Sequence, residues 1–338
     1  MITLTSMNYC LESNHTSHLS PLTSQLNKMQ TTNHVLMVRP VRFAFNEETA
    51  ANNAFQQKSE SAEAALKIQQ QAVGEFDAYV ELLRRNGVTV DVLQDTPEPF
   101  TPDSIFPNNC FSTHVQLDEN TGLAKRKLVI YPMFAQNRRL EREKLMTLLG
   151  QMAFDEVVDL TAFEAQNLCL EGTGSLILDR EHHMAYACLS PRTSREVMDE
   201  WARRMGYDYF LFNSEDEHGT PVYHTNVVMH VGTRFAVVCL ASIKDAAQRQ
   251  QLVNLLEKNG KEVVEISFEQ MHLFAGNMLE VHNDHGEKLL VMSQTALRSL
   301  TPQQVSLLET DVRIVTPDIP AIETAGGGSA RCMIAEIY

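Results

Sequence analysis

A run of three glycines, Gly326-Gly327-Gly328, is followed after Ser-Ala-Arg by a cysteine, Cys332. Consecutive glycines admit backbone conformations closed to other residues and let a second segment or a ligand come close. A cysteine carried by such a turn can be presented into a cleft, where a neighbouring base holds it as the nucleophilic thiolate. Taken alone, the plainer reading is a buried thiol after a glycine turn, ahead of a strand over residues 333–338. No Lys-Ser/Thr pair follows the glycines, so this is not a phosphate loop. Four other polar stretches change the balance: Phe106-Pro-Asn-Asn109, Leu170-Glu-Gly-Thr-Gly174, Tyr223-His-Thr-Asn226, and Ser190-Pro-Arg-Thr193 with Arg195 close behind. Together they offer an imidazole, a carboxylate, amides and guanidinium groups, the set a thiol nucleophile uses. They are far apart in the chain, so the fold must bring them together.

The elements that could do so recur. Residues 61–85 read as a helix with Leu66, Val73, Phe76, Val80 and Leu83 on one face, stopped by Gly87 and followed by a strand over 88–93. Leu82-Leu83-Arg-Arg-Asn-Gly87 and Leu255-Leu256-Glu-Lys-Asn-Gly260 are nearly the same phrase. Weaker copies, Leu148-Leu149-Gly150 and Arg203-Arg-Met-Gly206, also precede strand-like runs. Hairpin-like pairs lie between them, 175–178 with 184–187 and 227–230 with 236–240. Helix, glycine, strand and strand pair, repeated, is the mark of a stacked or radial α/β repeat architecture. The first credible strand is 34–38. Residues 1–32 are rich in Ser, Thr, Asn and Gln without a periodic apolar face, and are expected to be a disordered extension. Met29 is a candidate natural start. No Pro/Ser-rich linker follows residue 33, so 33–338 is expected to form a single catalytic domain.

The 338 residues include 43% hydrophobic and 21% charged, an ordinary globular composition. The formal net charge of −15 argues against nucleic acid and against an anionic membrane surface as partners. No apolar run approaches the ~18 residues of a membrane span. The six cysteines are widely spaced with no C-x-x-C pair, which fits reduced, mostly buried thiols in a cytoplasmic protein. Zinc spacings can be drawn through His224 and His230, or His282 and His285, but neither pair has a third ligand beside it, and 282–286 reads as a hairpin turn. No metal or organic cofactor is expected. The sequence leaves the oligomeric state open, a homo-oligomer included.

As a set, the motifs resemble the guanidine-modifying enzymes: arginine and agmatine deiminases, dimethylarginine hydrolases and amidinotransferases. The spelling Phe-Pro-Asn-Asn, Tyr-His-Thr-Asn and Gly-Gly-Gly-Ser-x-x-Cys-Met is most similar to the citrulline-utilisation hydrolase branch. The resemblance covers about residues 33 to 338 and implies a five-bladed pseudosymmetric α/β propeller of ββαβ units, the pentein fold. It implies Cys332 as nucleophile, His224 as general acid and base, and Glu171 as the carboxylate that orients the histidine and holds substrate nitrogens. The second glycine of the family's Leu-Asp/Glu-Gly-Gly motif is Thr173 here. Arg192 matches an arginine that grips the substrate α-carboxylate, suited to bidentate pairing. Arg138 or Arg139 is a candidate second contact, although the plainer reading for both is a solvated helix start.

Asn109 and Asn226 stand where relatives acting on guanidinium substrates carry aspartates. A buried guanidinium needs compensating carboxylates. An amide offers one acceptor and two N–H donors without charge, which suits a neutral ureido group and its developing oxyanion. The small amino-acid substrate expected is therefore citrulline, hydrolysed through a covalent Cys332 thiocarbamate to ornithine, ammonia and carbon dioxide. Glu171 with Asp103, or another acid, could instead balance a cation. The alternatives are an arginine or dimethylarginine hydrolase, an amidinotransferase, or a non-catalytic binder of an arginine-like metabolite.

Overall fold

The computed structural model describes residues 29–117 and 121–338. Their strands form five three-stranded sheets, and each has the same plan. Two antiparallel strands are followed, after a helical connection, by a third strand parallel to the second. This holds for β3 (Phe111–Leu117), β4 (Ala124–Ile130) and β5 (Glu156–Asp159). It recurs in β6 (Ile177–Asp179), β7 (Met184–Cys188) and β8 (Asp208–Phe212), and in β9 (Met229–Val231), β10 (Phe235–Val238) and β11 (Glu262–Glu265). The fourth copy is β12 (Leu279–His282), β13 (Lys288–Val291) and β14 (Arg313–Val315). In the remaining sheet β1 (His34–Arg39) and β2 (Thr89–Gln94) are parallel, and the antiparallel partner of β1 is β15 (Ala335–Glu336), from the far end of the chain.

The repeated phrase has a local cause. Ser61 caps the helix Ala62–Arg85 by accepting from the Ala64 N–H. At the other end Gly87 takes φ +81°, turning the chain into β2. Gly260 (φ +74°) and Gly206 (φ +66°) do the same ahead of β11 and β8. Gly150 differs, remaining right-handed. The buried face of this helix is Ala72, Phe76, Tyr79, Val80 and Leu83, whereas Leu66 is exposed and Ile68 is the apolar side chain of that end that packs against the core.

Side chains of neighbouring sheets share cores. Val35 and Met37 of β1 pack with Leu279, Val281, Leu289 and Val291 of β12 and β13, and Leu36 and Val38 pack with Phe111 and Leu128 of β3 and β4. Two boundaries differ from the sequence reading. Residues 1–28 lie outside the described residues, but the expectation of a disordered stretch up to residue 32 gives way at its end. Gln30, Thr31 and Thr32 are buried; Gln30 Nε2 donates to Leu178 O at 2.8 Å and Thr32 Oγ1 to Ile337 O at 2.7 Å. The runs 175–178 and 227–230 are not strands from their first residues, since Gly172–Ser175 and Thr225–Val228 are helical turns. Those turns carry the polar motifs. Among the described residues no helix is long and apolar enough to cross a membrane.

Candidate active site

Five short segments, each leading into the first strand of a sheet, meet at one place. Phe106-Pro-Asn-Asn109 precedes β3, Glu171-Gly-Thr-Gly174 precedes β6, His224-Thr-Asn226 precedes β9, Gly276-Asn277 precedes β12, and Cys332 precedes β15. Close approach explains their glycines. Gly172 has φ +45°, and a Cβ there would lie 2.2 Å from Asn108 O. At Gly174 a Cβ would lie 2.8 Å from His224 Nδ1 and 2.3 Å from Asn109 Nδ2. Thr173, in place of the expected second glycine, donates through Oγ1 to Asn108 O at 3.2 Å.

Cys332 sits in the turn Ala330–Met333, almost fully buried. It lines a tight cavity walled also by Asp103, Asn109, Arg138, Arg192 and His224. A roomier cleft, lined by Phe55, Tyr223, Phe274 and Glu323, lies on the other side of Tyr223. It contains none of the nucleophile or base candidates, which line the tight cavity instead.

Two amides face the sulfur. Asn226 Nδ2 is 3.3 Å from Cys332 Sγ and Asn277 Nδ2 is 3.2 Å from it. Behind the cavity, His224 Nε2 is 2.8 Å from Glu171 Oε2, while Glu171 Oε1 accepts from the Phe134 N–H at 2.9 Å. Burial pushes His224 down to about 4, against the opposing pull of Glu171. Burial would raise Glu171, but Arg192 and the His224 hydrogen bond outweigh it and hold the carboxyl below the usual range. At neutral pH this is a carboxylate beside a neutral imidazole. The Nε2 proton faces Glu171, leaving Nδ1 as the acceptor.

The arginines divide. Arg138 is buried, not solvated as the plainer reading had it. Glu141 is the reason: Arg138 Nε and Nη2 donate to its carboxylate at 2.9 and 3.1 Å, inside a site that excludes water. A third contact runs from Arg138 Nη1 to Asn109 Oδ1 at 2.7 Å. Arg192 is buried too; its Nε donates to Asn52 Oδ1 at 2.8 Å, Nη2 donates to Thr49 O at 3.0 Å, and Nη1 lies 3.5 Å from Glu171. Arg139 does not reach the cavity and donates to Met133 O at 2.9 Å. Asp103 does reach it. Its Oδ2 accepts from Asn46 and Thr49, its Oδ1 has no partner, and burial raises its carboxyl despite Arg138 nearby.

Asn277 is the residue that motif reading missed. Its signal was positional: Gly276-Asn277 occupies the same place before β12 that the other four segments occupy before their strands.

The fold and the five segments that meet at Cys332 agree with the arginine and dimethylarginine hydrolase superfamily, and a family profile places the chain there. The profile of the family "N,N dimethylarginine dimethylhydrolase, eukaryotic" matches residues 39–338, and the chain belongs to that family. No curated protein sequence matches it. Among solved structures it is similar to ArgZ, a cyanobacterial arginine dihydrolase, at 18% identity and TM-score 0.68, covering 89% of this chain and 40% of that one. Against the N-terminal domain of ArgZ bound to substrate, identity is 17% and TM-score 0.68, with 90% and 97% covered. A dimethylarginine hydrolase of Pseudomonas aeruginosa complexed with citrulline gives 15% identity, TM-score 0.60, and coverage of 91% and 100%. The chain thus spans 40% of the full-length dihydrolase.

Proposed function

We propose that the protein is a cysteine hydrolase of a ureido amino acid, with citrulline as substrate and ornithine, ammonia and carbon dioxide as products. One observation carries the choice of a neutral substrate. Arg138 Nη1 donates to Asn109 Oδ1, which turns the Asn109 amide nitrogen away from Arg138, and that nitrogen is buried without a partner. Asn226 has the complementary state, its nitrogen on the sulfur and its Oδ1 unpartnered. A ureido group satisfies both, its oxygen accepting from Asn109 and its NH2 donating to Asn226. A guanidinium has no acceptor and would leave the Asn109 N–H unpaired.

In this reading Cys332 Sγ attacks the ureido carbon, and the Asn109 N–H faces the oxygen as it gains charge. The proton lost by Cys332 is taken up at His224 Nδ1 and returned to the departing nitrogen. His224 then takes a proton from the water that attacks the thiocarbamate; the C–S bond breaks, freeing the sulfur, and the carbamate released loses carbon dioxide to leave the second amine product. Glu171 holds the Nε2 side of the ring throughout. Arg192 receives the substrate carboxylate when Asn52 and Thr49 release its donors, while Arg138 fixes Asn109. Arg139 is left outside this scheme. The shared cores of neighbouring sheets support a closed five-bladed propeller over 33–338 as a single catalytic domain. The five described cysteines, all unpaired, support a cytoplasmic setting.

A second reading rests on Asp103, whose unpartnered carboxylate oxygen in the same cavity wall would balance a cation. It favours arginine or a methylated arginine. The deciding experiment gives purified protein citrulline, arginine and dimethylarginine separately and follows ornithine, citrulline and ammonia. Ornithine from citrulline alone supports the ureido hydrolase. Citrulline formed from arginine or dimethylarginine assigns the site to guanidino substrates through Asp103.

A further inference from the structure

We infer that Asn277 is a catalytic residue, its side-chain amide stabilising the Cys332 sulfur as an anion. The inference rests on Cys332 being the nucleophile. The Asn277 amide cannot turn freely. Its Oδ1 accepts from the Arg331 N–H at 3.1 Å, one residue before the cysteine, so Nδ2 must face the other way. That nitrogen has two hydrogens and two acceptors, Asn226 O at 3.1 Å and Cys332 Sγ at 3.2 Å. The backbone is brought in by Gly276, where a Cβ would lie 2.2 Å from Val227 O. Asn277 is itself buried.

The sulfur therefore meets an excess of donors. Asn277 and Asn226 each direct an N–H at it. The acceptor within reach of a thiol proton is Asn277 Oδ1, at 3.6 Å and already bonded to Arg331. A thiol is a weak acceptor, whereas a thiolate takes two amide hydrogen bonds well. The arrangement matches the anion. It also answers a need created by a neutral substrate. A guanidinium brings positive charge to the attacking sulfur, and a ureido group brings none. The protein's own dipoles must then stabilise the nucleophile, and Asn277 lets Asn226 and Cys332 be held by one rigid amide.

The test is the pH dependence of Cys332 alkylation by iodoacetamide, located by peptide mass mapping, in the unmodified protein and in Asn277→Ala and Asn277→Asp. Burial pushes the thiols of Cys188 and Cys239 up to about 11, so they compete little at neutral pH. The alkylation rate of Cys332 at neutral pH is expected to fall about tenfold in Asn277→Ala and further in Asn277→Asp, whose carboxylate opposes the thiolate. Turnover should fall at least tenfold in both at pH 7 and recover partly at higher pH. Thermal unfolding of the isosteric Asp variant keeps folding and ionisation separable. Coincident alkylation profiles in folded variants overturn the inference. The nucleophile reading has its own check: turnover that survives complete alkylation of Cys332 defeats it, and with it the catalytic role of Asn277, even where the profiles shift.

Discussion

Each polar group in the cavity is fixed by a neighbour that limits what it can offer. Asn109 carries an NH2 where an aspartate carries a second oxygen, and because Arg138 donates to its Oδ1 that NH2 is turned away from Arg138 and is buried without a partner. Asn109→Asp places a carboxylate between Arg138 and the substrate. It is expected to lower kcat/KM for citrulline by about 10–100-fold, the worth of one hydrogen bond to a developing charge, and to improve discrimination towards arginine. Parallel kinetics on the two substrates check this; an unchanged ratio would remove Asn109 from specificity. Cys332→Ala should abolish turnover while equilibrium binding of citrulline persists, measured by calorimetry. Loss of both would mean that the cysteine shapes the cavity rather than attacks within it.

The turns that precede the strands are where sequence and chemistry meet most tightly. Gly172→Ala forces a side chain at φ +45° into the Asn108 carbonyl, 2.2 Å away. Because Glu171 and Asn109 are anchored on the two sides of that contact, activity is expected to drop by about 100-fold or more through misplacement. Gly260→Ala is the contrast, with φ +74° but open space around the added carbon. It should cost about 1 kcal/mol of stability and leave kcat unchanged; melting curves and turnover on both variants separate the two effects. The helix–glycine–strand unit was legible because Gly87 and Gly260 end their helices in a left-handed turn that propensity anticipates. Cys332, His224, Glu171 and Asn109 were legible through motif spelling. Asn277 was not, because an asparagine after a single glycine has no distinctive spelling and acquires meaning only from its place before β12. Arg138 was misjudged for a related reason: two arginines in an amphipathic run read as solvated until a buried acid, Glu141, is seen to hold one of them. Leu66 was misassigned: it is exposed, and Ile68 is the apolar residue of that end of the helix that packs against the core.

Across the whole molecule, buried histidines make stability depend on pH. Burial holds His224 at about 4 and His230 at about 3, both below the 6.5 of an exposed histidine. Between pH 6.5 and 4 the unfolded chain binds protons at these positions that the folded chain refuses. Stability is therefore complete above 6.5 and falls as the pH drops through that window, by about 1.4 kcal/mol per pH unit for each histidine. Glu171 and Glu336, held low, add their losses only below the ordinary carboxylate value of 4.5. The buried acids Asp103, Glu141 and Glu280, pushed up by burial, act in the opposite sense above that value. Urea titrations at pH 7.5, 6.5 and 5.5 are expected to give a decreasing unfolding free energy, and His230→Gln a shallower decline. Equal stability at all three would mean that the histidines are solvated in the folded state.

The pairing of β1 with β15 also has a consequence for synthesis. Thr32 and Ile337, bonded beside that seam, are 305 residues apart in the chain. During translation β1 emerges early and stays half-paired until β15 leaves the ribosome, and the segment that pairs with it carries Cys332. Cys332 thus meets Asn226 and Asn277 only once the segment leading into β15 is in place beside β1.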